Sequence, residues 1–256
     1  MNALFVFCIF ITSACKGVFF LCNRNELDFI SQFLTKTPTV LEAGANDGSD
    51  TVRIKKKWPN STIYAFEPVP ELYQKCRAAT RRYGNVNIYQ LGLSDKTGKS
   101  FFFLPENPSR PAVVTAAGSL LSISSDFLSY GTLNFGKKIT IQTTTLDDWA
   151  QQVGVNKIDM IWFDLQGYEL NVLKASPVTL KTVMVIYLEV EFKAIYEGQY
   201  LWPEVKTWLK EKGFELVATD FDVSKETNTP SRPEDWFGNA IFVRKGLTCI
   251  NRTMSY

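Results

Sequence analysis

The segment Val40-Leu41-Glu42-Ala43-Gly44-Ala45-Asn46-Asp47-Gly48 runs from apolar residues into small and polar ones, and Tyr64-Ala65-Phe66-Glu67-Pro68 runs from apolar residues into an acid. Gly44 and Gly48 permit a sharp turn at a strand end, which brings backbone N–H groups against a ligand. Glu67 follows about 20 residues on, the offset at which a nucleoside-binding α/β sheet places the partner of a ribose diol. A carboxylate suits that diol because it accepts two hydrogen bonds at once. Taken singly, Asn46 and Asp47 suit a helix cap and Glu67 a solvated loop acid before Pro68. Together the two segments point to a nucleoside cofactor.

Further acids could handle protons. Asp164 ends an apolar run at the carboxyl edge of an expected buried strand, where open α/β sheets bind ligands, or else it caps the next helix. Desolvation there would raise its pKa and suit it to accept a proton from a substrate hydroxyl. Glu189 and Glu191 alternate on one face of a later strand end, as a second base, as acceptor ligands or as a weak divalent-metal site. The chain contains no histidine, which removes Ser-His-Asp hydrolysis, histidine-ligated metals and histidine general bases. Carboxylates, Tyr, Lys and water are the remaining proton acceptors.

The elements that must position these residues follow from the apolar periodicity. At 256 residues the chain fits one α/β domain of the larger kind. A lead-in helix over 25–34 precedes a strand at 39–43, then helix 49–57, strand 62–66, helix 70–83 and strand 87–90. A helix from about Leu146, strand 159–164, helix 169–174, strand 183–190, helix 202–212 and strand 214–219 follow. The alternation predicts a parallel sheet with helices on both faces. The closing strand 240–243 pairs antiparallel with its predecessor if the two are neighbours, because the polar stretch 220–235 reads as non-helical. The Ser-, Gly- and Pro-rich stretch 105–138 reads as a long functional loop or lid. Phe192, Tyr196, Tyr200 and Trp202 read first as core aromatics, second as a platform for a flat acceptor.

Composition bounds the partners. The net charge of +2 with dispersed basic residues excludes a broad nucleic-acid footprint. Of the five cysteines, three lie within the first 22 residues, so neither a disulfide framework nor a zinc pattern exists. Residues 3–22 are almost wholly apolar and read as a signal-type segment, a membrane anchor or a packed accessory helix. The expected division is thus a leader over 1–24, a domain over 25–245 and a tail over 246–256, in a cytoplasmic or membrane-associated protein.

The ordered set of motifs resembles the FkbM-type S-adenosylmethionine-dependent methyltransferases, from about Val40 to Lys245. Glu42-Ala43-Gly44-Ala45-Asn46-Asp47-Gly48 is similar to the family's first turn and Ala65-Phe66-Glu67-Pro68 to its second strand end. Leu93-Ser94-Asp95, Thr145-Leu146-Asp147-Asp148, Asp164-Leu165-Gln166-Gly167-Tyr168-Glu169 and Phe237-Gly238-Asn239-Ala240 follow in the family's order. The resemblance implies a Rossmann-like class I methyltransferase fold with a mostly parallel seven-stranded sheet and an antiparallel last strand. It implies S-adenosyl-L-methionine held by Glu42, Gly44, Asn46, Gly48 and Glu67, with Ser94 and Asp95 at the adenine. Glu42 would accept from the cofactor's ammonium group. Asp164 or Glu189 would serve as base, and Glu169 and Glu191 would contact a small hydroxylated acceptor such as a sugar, with no resident metal. The sequence departs from the family at Trp162 and Gln166, where charged residues are usual, so no catalytic role carries over to those positions. A nicotinamide-dependent oxidoreductase lacks its Gly-x-Gly-x-x-Gly signature here. A non-catalytic scaffold with the same fold is the other alternative.

Overall fold

A computed structural model describes residues 18–21, 25–106, 117–129, 134–223 and 236–249. Strands β1 (Phe19–Phe20), β2 (Thr39–Ala43), β3 (Thr62–Phe66), β4 (Val86–Tyr89), β8 (Met160–Phe163), β9 (Val185–Glu191), β10 (Phe214–Thr219) and β11 (Phe237–Arg244) form one sheet in the order β1-β10-β11-β9-β8-β2-β3-β4. All neighbours pair parallel except β11, which runs antiparallel to both β9 and β10. The expected doubly wound sheet with an antiparallel last strand is therefore present. It gains an eighth strand, because Phe19 and Phe20 pair with Ala218 and Thr219 and so continue the sheet edge instead of forming a leader helix.

Side-chain alternation sorts the sheet into two cores. Leu41, Ala43, Ile161, Phe163, Ile186 and Leu188 pack against α5 (Leu146–Val153), α6 (Glu169–Lys174) and α7 (Trp202–Glu211). Val40, Met160, Trp162, Val185 and Ile241 pack against α1 (Glu26–Ile30), α2 (Ser49–Lys57) and α3 (Pro70–Thr80). The ends of these helices follow local chemistry. Thr145 caps α5 by accepting the Asp148 N–H, Gly154 ends it at φ 73°, and Pro70 opens α3 where no N–H is needed.

A second sheet, β5 (Gly92–Leu93), β6 (Gly98–Glu106) and β7 (Asn134–Thr144), stands beside the first in the order β5-β7-β6. It corrects two expectations. The stretch taken as a loop from 105 to 138 is hairpin at both ends, since β6 and β7 pair antiparallel from Gly98–Thr143 to Glu106–Asn134. Its described middle, including α4 (Ser125–Leu128), is pinned by Phe103 and Ser119 exchanging backbone bonds and by Ser124 Oγ donating to the Ala194 carbonyl. Ser94 and Asp95, expected at the adenine after strand 87–90, instead follow β5 of the small sheet. Among the described residues no helix is long and apolar enough to cross a membrane. Residues 3–17 of the apolar leader lie outside the described residues.

Candidate functional site

The parallel strands β2, β3, β4, β8 and β9 present their carboxyl ends at one edge, and Glu42, Gly44, Glu67, Asp164, Glu189 and Glu191 lie at or directly after those ends. Gly44 at φ 84° and Gly48 at φ 86° make the turn after β2. A Cβ on Gly44 would stand 1.9 Å from the Asp164 carbonyl oxygen, so only glycine lets β2 and β8 close together here. Asn46 also adopts a left-handed φ of 50°. Asp47 is a turn residue, as its Oδ1 accepts the Ser49 N–H at 2.9 Å and the Ser49 hydroxyl at 2.6 Å.

Gly44, Asn46, Glu67, Val69, Leu93 and Asp164 line a cleft between the ends of β2, β3 and β8. Glu67 is 4% exposed, and its two oxygens accept the backbone N–H groups of Asn46 at 2.9 Å and Val69 at 2.8 Å. It thereby ties the first turn to the second, a role sequence spacing did not reveal. Burial still raises its pKa to about 7, against the pull of those two N–H donors. Phe102, Gly118 and Leu120 reach in from the hairpin sheet and leave about 50 Å³ of open space. That is far below the roughly 300 Å³ of a small-molecule pocket.

Glu42 lies on the α1–α3 face beside Trp162 and is 1% exposed. Thr51 donates to it from its side chain and its backbone, yet Oε2 has no partner, and desolvation raises the pKa to about 8. A buried carboxyl oxygen without a donor is costly unless a ligand supplies one.

Asp164 does not cap α6, whose N-cap is Tyr168. Its Oδ1 accepts from Gln166 Nε2 at 2.6 Å, the same amide reaches Glu189 Oε1 at 3.1 Å, and Gln166 Oε1 accepts the Tyr196 hydroxyl at 2.9 Å. Desolvation raises the Asp164 pKa to about 6 and pushes Glu189 well above the usual carboxylate range. Sequence reasoning noted Gln166 only as a departure from a charged residue. Its position one residue before Gly167, with a φ of 52°, was the available signal.

Glu169 and Glu191, expected at the acceptor, are 3% and 2% exposed and do not line either of the two clefts that Asp164 borders. Glu169 Oε1 accepts the Leu165 N–H at 2.6 Å and so braces the 164–168 turn from behind. Burial raises both carboxyls, Glu169 to about 8. Ser94 and Asp95 stand outside the cleft lining, where Asp95 Oδ1 accepts the Tyr168 hydroxyl at 2.9 Å; Tyr168 itself lines the cleft. The aromatics after β9 belong to the core, with Tyr196 and Trp202 fully buried. No group of three or more Cys, Asp or Glu among the described residues is arranged to hold a metal ion.

Comparison with known proteins adds to this geometry. The model of the methyltransferase FkbM domain matches residues 42–216. The 2-O-methyltransferase NoeI of Sinorhizobium fredii is 30% identical over 181 residues, covering 71% of this chain and 74% of that protein. Methyltransferase sdnD of Sordaria araneosa is 25% identical over 202 residues, 72% of this chain and 76% of its own. Hexuronic acid methyltransferase AglP of Haloferax volcanii is 25% identical over 171 residues, with 65% and 63% covered.

Proposed function

The chain belongs to the FkbM-domain methyltransferases, and from that premise we propose that it transfers the methyl group of S-adenosylmethionine to a hydroxyl of a small, sugar-like acceptor. One observation carries the cofactor: Gly44, Asn46 and Glu67 line one cleft at the carboxyl ends of β2 and β3, with the buried Glu42, one oxygen unpartnered, two residues before Gly44. Backbone at Gly44 and Gly48 would admit the methionine part, and Glu42 Oε2 would accept from its ammonium. Glu67 would accept from the ribose hydroxyls on the lone pairs that Asn46 and Val69 leave open. The hydroxyl acceptor is supported by the names of the relatives NoeI and AglP.

When bound, the cofactor supplies a sulfonium methyl that is already electrophilic. What remains for the protein is alignment and a proton. Asp164, at the shared wall of two clefts and with a pKa near 6, is ionised at neutral pH and can take the acceptor's hydroxyl proton as the oxygen–methyl bond forms and the sulfur–methyl bond breaks. Gln166 donates to it and fixes its direction. Trp162 and Gln166, the two departures from the family pattern, are thus built into the site: Trp162 stacks on Tyr187 and Gln166 holds two carboxyls.

The test has two parts. Calorimetric titration with S-adenosylhomocysteine should show binding that Glu67→Ala abolishes, and its absence would sink the cofactor assignment. Incubation with labelled S-adenosylmethionine and a panel of hydroxylated acceptors should release label into a methyl ether. Binding without transfer to any acceptor would favour a scaffold.

A further inference from the structure

Asp164 also borders a second cavity, of about 510 Å³, on the α1–α3 face of the sheet. Its lining is unlike that of the cofactor cleft. Trp162, only 3% exposed, and Tyr187 stack on each other with ring centroids 3.7 Å apart and planes at 18°, and together they form part of the cavity's apolar wall. Around it stand Glu26, Asp50, Asp164, Glu189 and Asp220, with Arg53 the sole cation among the described lining residues. Arg53 is committed to Glu26 and to Asp50, the latter at 2.5 Å.

Building on the methyltransferase reading, we propose that this cavity is the acceptor site and that it takes an uncharged or amino-bearing polyol while rejecting acceptors that carry a carboxylate or phosphate. Four facts converge on this. The volume lies in the range of small-molecule sites. The wall it shares with the cofactor cleft is Asp164, so an occupant has its hydroxyls beside the candidate base. The Trp162–Tyr187 pair supplies an apolar wall, and the carboxyl groups accept hydrogen bonds from a polyol's hydroxyls or from an ammonium. An anionic acceptor would instead meet Asp164 and Asp220, and Arg53, the one cation among the described lining residues, is already paired with Glu26 and Asp50.

Asp220 offers a way to test the charge logic without disturbing the core. It is exposed at the cavity rim and accepts the Asn239 N–H at 2.6 Å and the Asn239 side-chain amide at 2.7 Å. The experiment titrates the full chain, saturated with S-adenosylhomocysteine, with matched sugars: a neutral glucoside, glucosamine, glucuronate and glucose 6-phosphate, following tryptophan fluorescence and heat. The neutral and amino sugars should bind at least about tenfold tighter than the two anions. Asp220→Lys should narrow that gap by about tenfold with the S-adenosylhomocysteine affinity unchanged. Binding of the anions as tightly as the others, binding of no sugar, or an unchanged gap in the variant would overturn the assignment. Absence of S-adenosylhomocysteine binding by the unaltered protein would instead overturn the cofactor reading on which it rests.

Discussion

Gln166 and Asp164 are joined by a hydrogen bond of 2.6 Å in which the amide donates, and the same amide nitrogen lies 3.1 Å from Glu189. A neutral donor between the exposed Asp164 and the half-buried Glu189 lowers the repulsion that would otherwise raise both carboxyls further. Gln166→Glu would replace that donor with a third acid. The acid limb of the methyl-transfer pH profile should then move to higher pH by about one unit or more, because Asp164 would ionise later. Gln166→Asn should retain part of the wild-type profile. A profile unmoved by either change would show that Asp164 is not the group being titrated.

Glu42, raised to about 8, is mostly protonated at pH 7. An ammonium group arriving at its free oxygen would favour the carboxylate, so cofactor binding should release a proton. Titrating S-adenosylhomocysteine at pH 7 in buffers of different ionisation heat should reveal this release, and affinity should rise between pH 6 and about pH 8. Glu42→Gln should abolish both effects.

Gly44→Ala places a methyl group 1.9 Å from the Asp164 carbonyl oxygen at a φ of 84°. Left-handed strain of roughly 1–3 kcal/mol and overpacking of similar size add in the same direction. Urea unfolding should show a lower midpoint, and S-adenosylhomocysteine affinity should fall with it because the turn must move.

Phe102, Gly118 and Leu120 narrow the cleft proposed for the cofactor to about 50 Å³. Ligand entry should therefore disturb the bonds that Phe103 and Ser119 exchange. Hydrogen exchange should change at those two amides on S-adenosylhomocysteine binding. Phe102→Ala should speed association with a smaller effect on dissociation; equal rates in variant and wild type would mean that the hairpin sheet does not gate the cleft.

Glu67 and Glu42 also set a pH dependence of folding. Both pKa values are raised from 4.5, to about 7 and about 8, so between those limits the folded chain holds protons that the unfolded chain has released. Their effect is most favourable below about pH 4.5 and is lost as pH rises through 7 and 8. Unfolding free energy measured from pH 5 to 9 should carry a downward contribution that flattens in Glu42→Gln and in Glu67→Gln.

The chain order of apolar runs, the glycine turn at 44–48 and the acid at 67 were legible as sequence because each depends on residues within one or two elements. Period-2 alternation alone puts Glu189 and Glu191 on one face of β9. What that face meets was decided by packing between distant segments. Glu191 was buried, and Glu189 came within reach of an amide 23 positions away. Glu169 turned inward to brace Leu165, and Asp95 was drawn from the cofactor cleft to Tyr168, 73 positions on. The eighth strand and the hairpin likewise needed partners, because two residues of β1 and a Ser-rich stretch carry little periodic signal until Thr219 and Ser119 supply their backbone bonds. Sequence by itself determined the doubly wound frame and the residue types at its edge. Tertiary structure decided which carboxyls open onto space, because desolvation and contact depend on what the crossovers bring alongside.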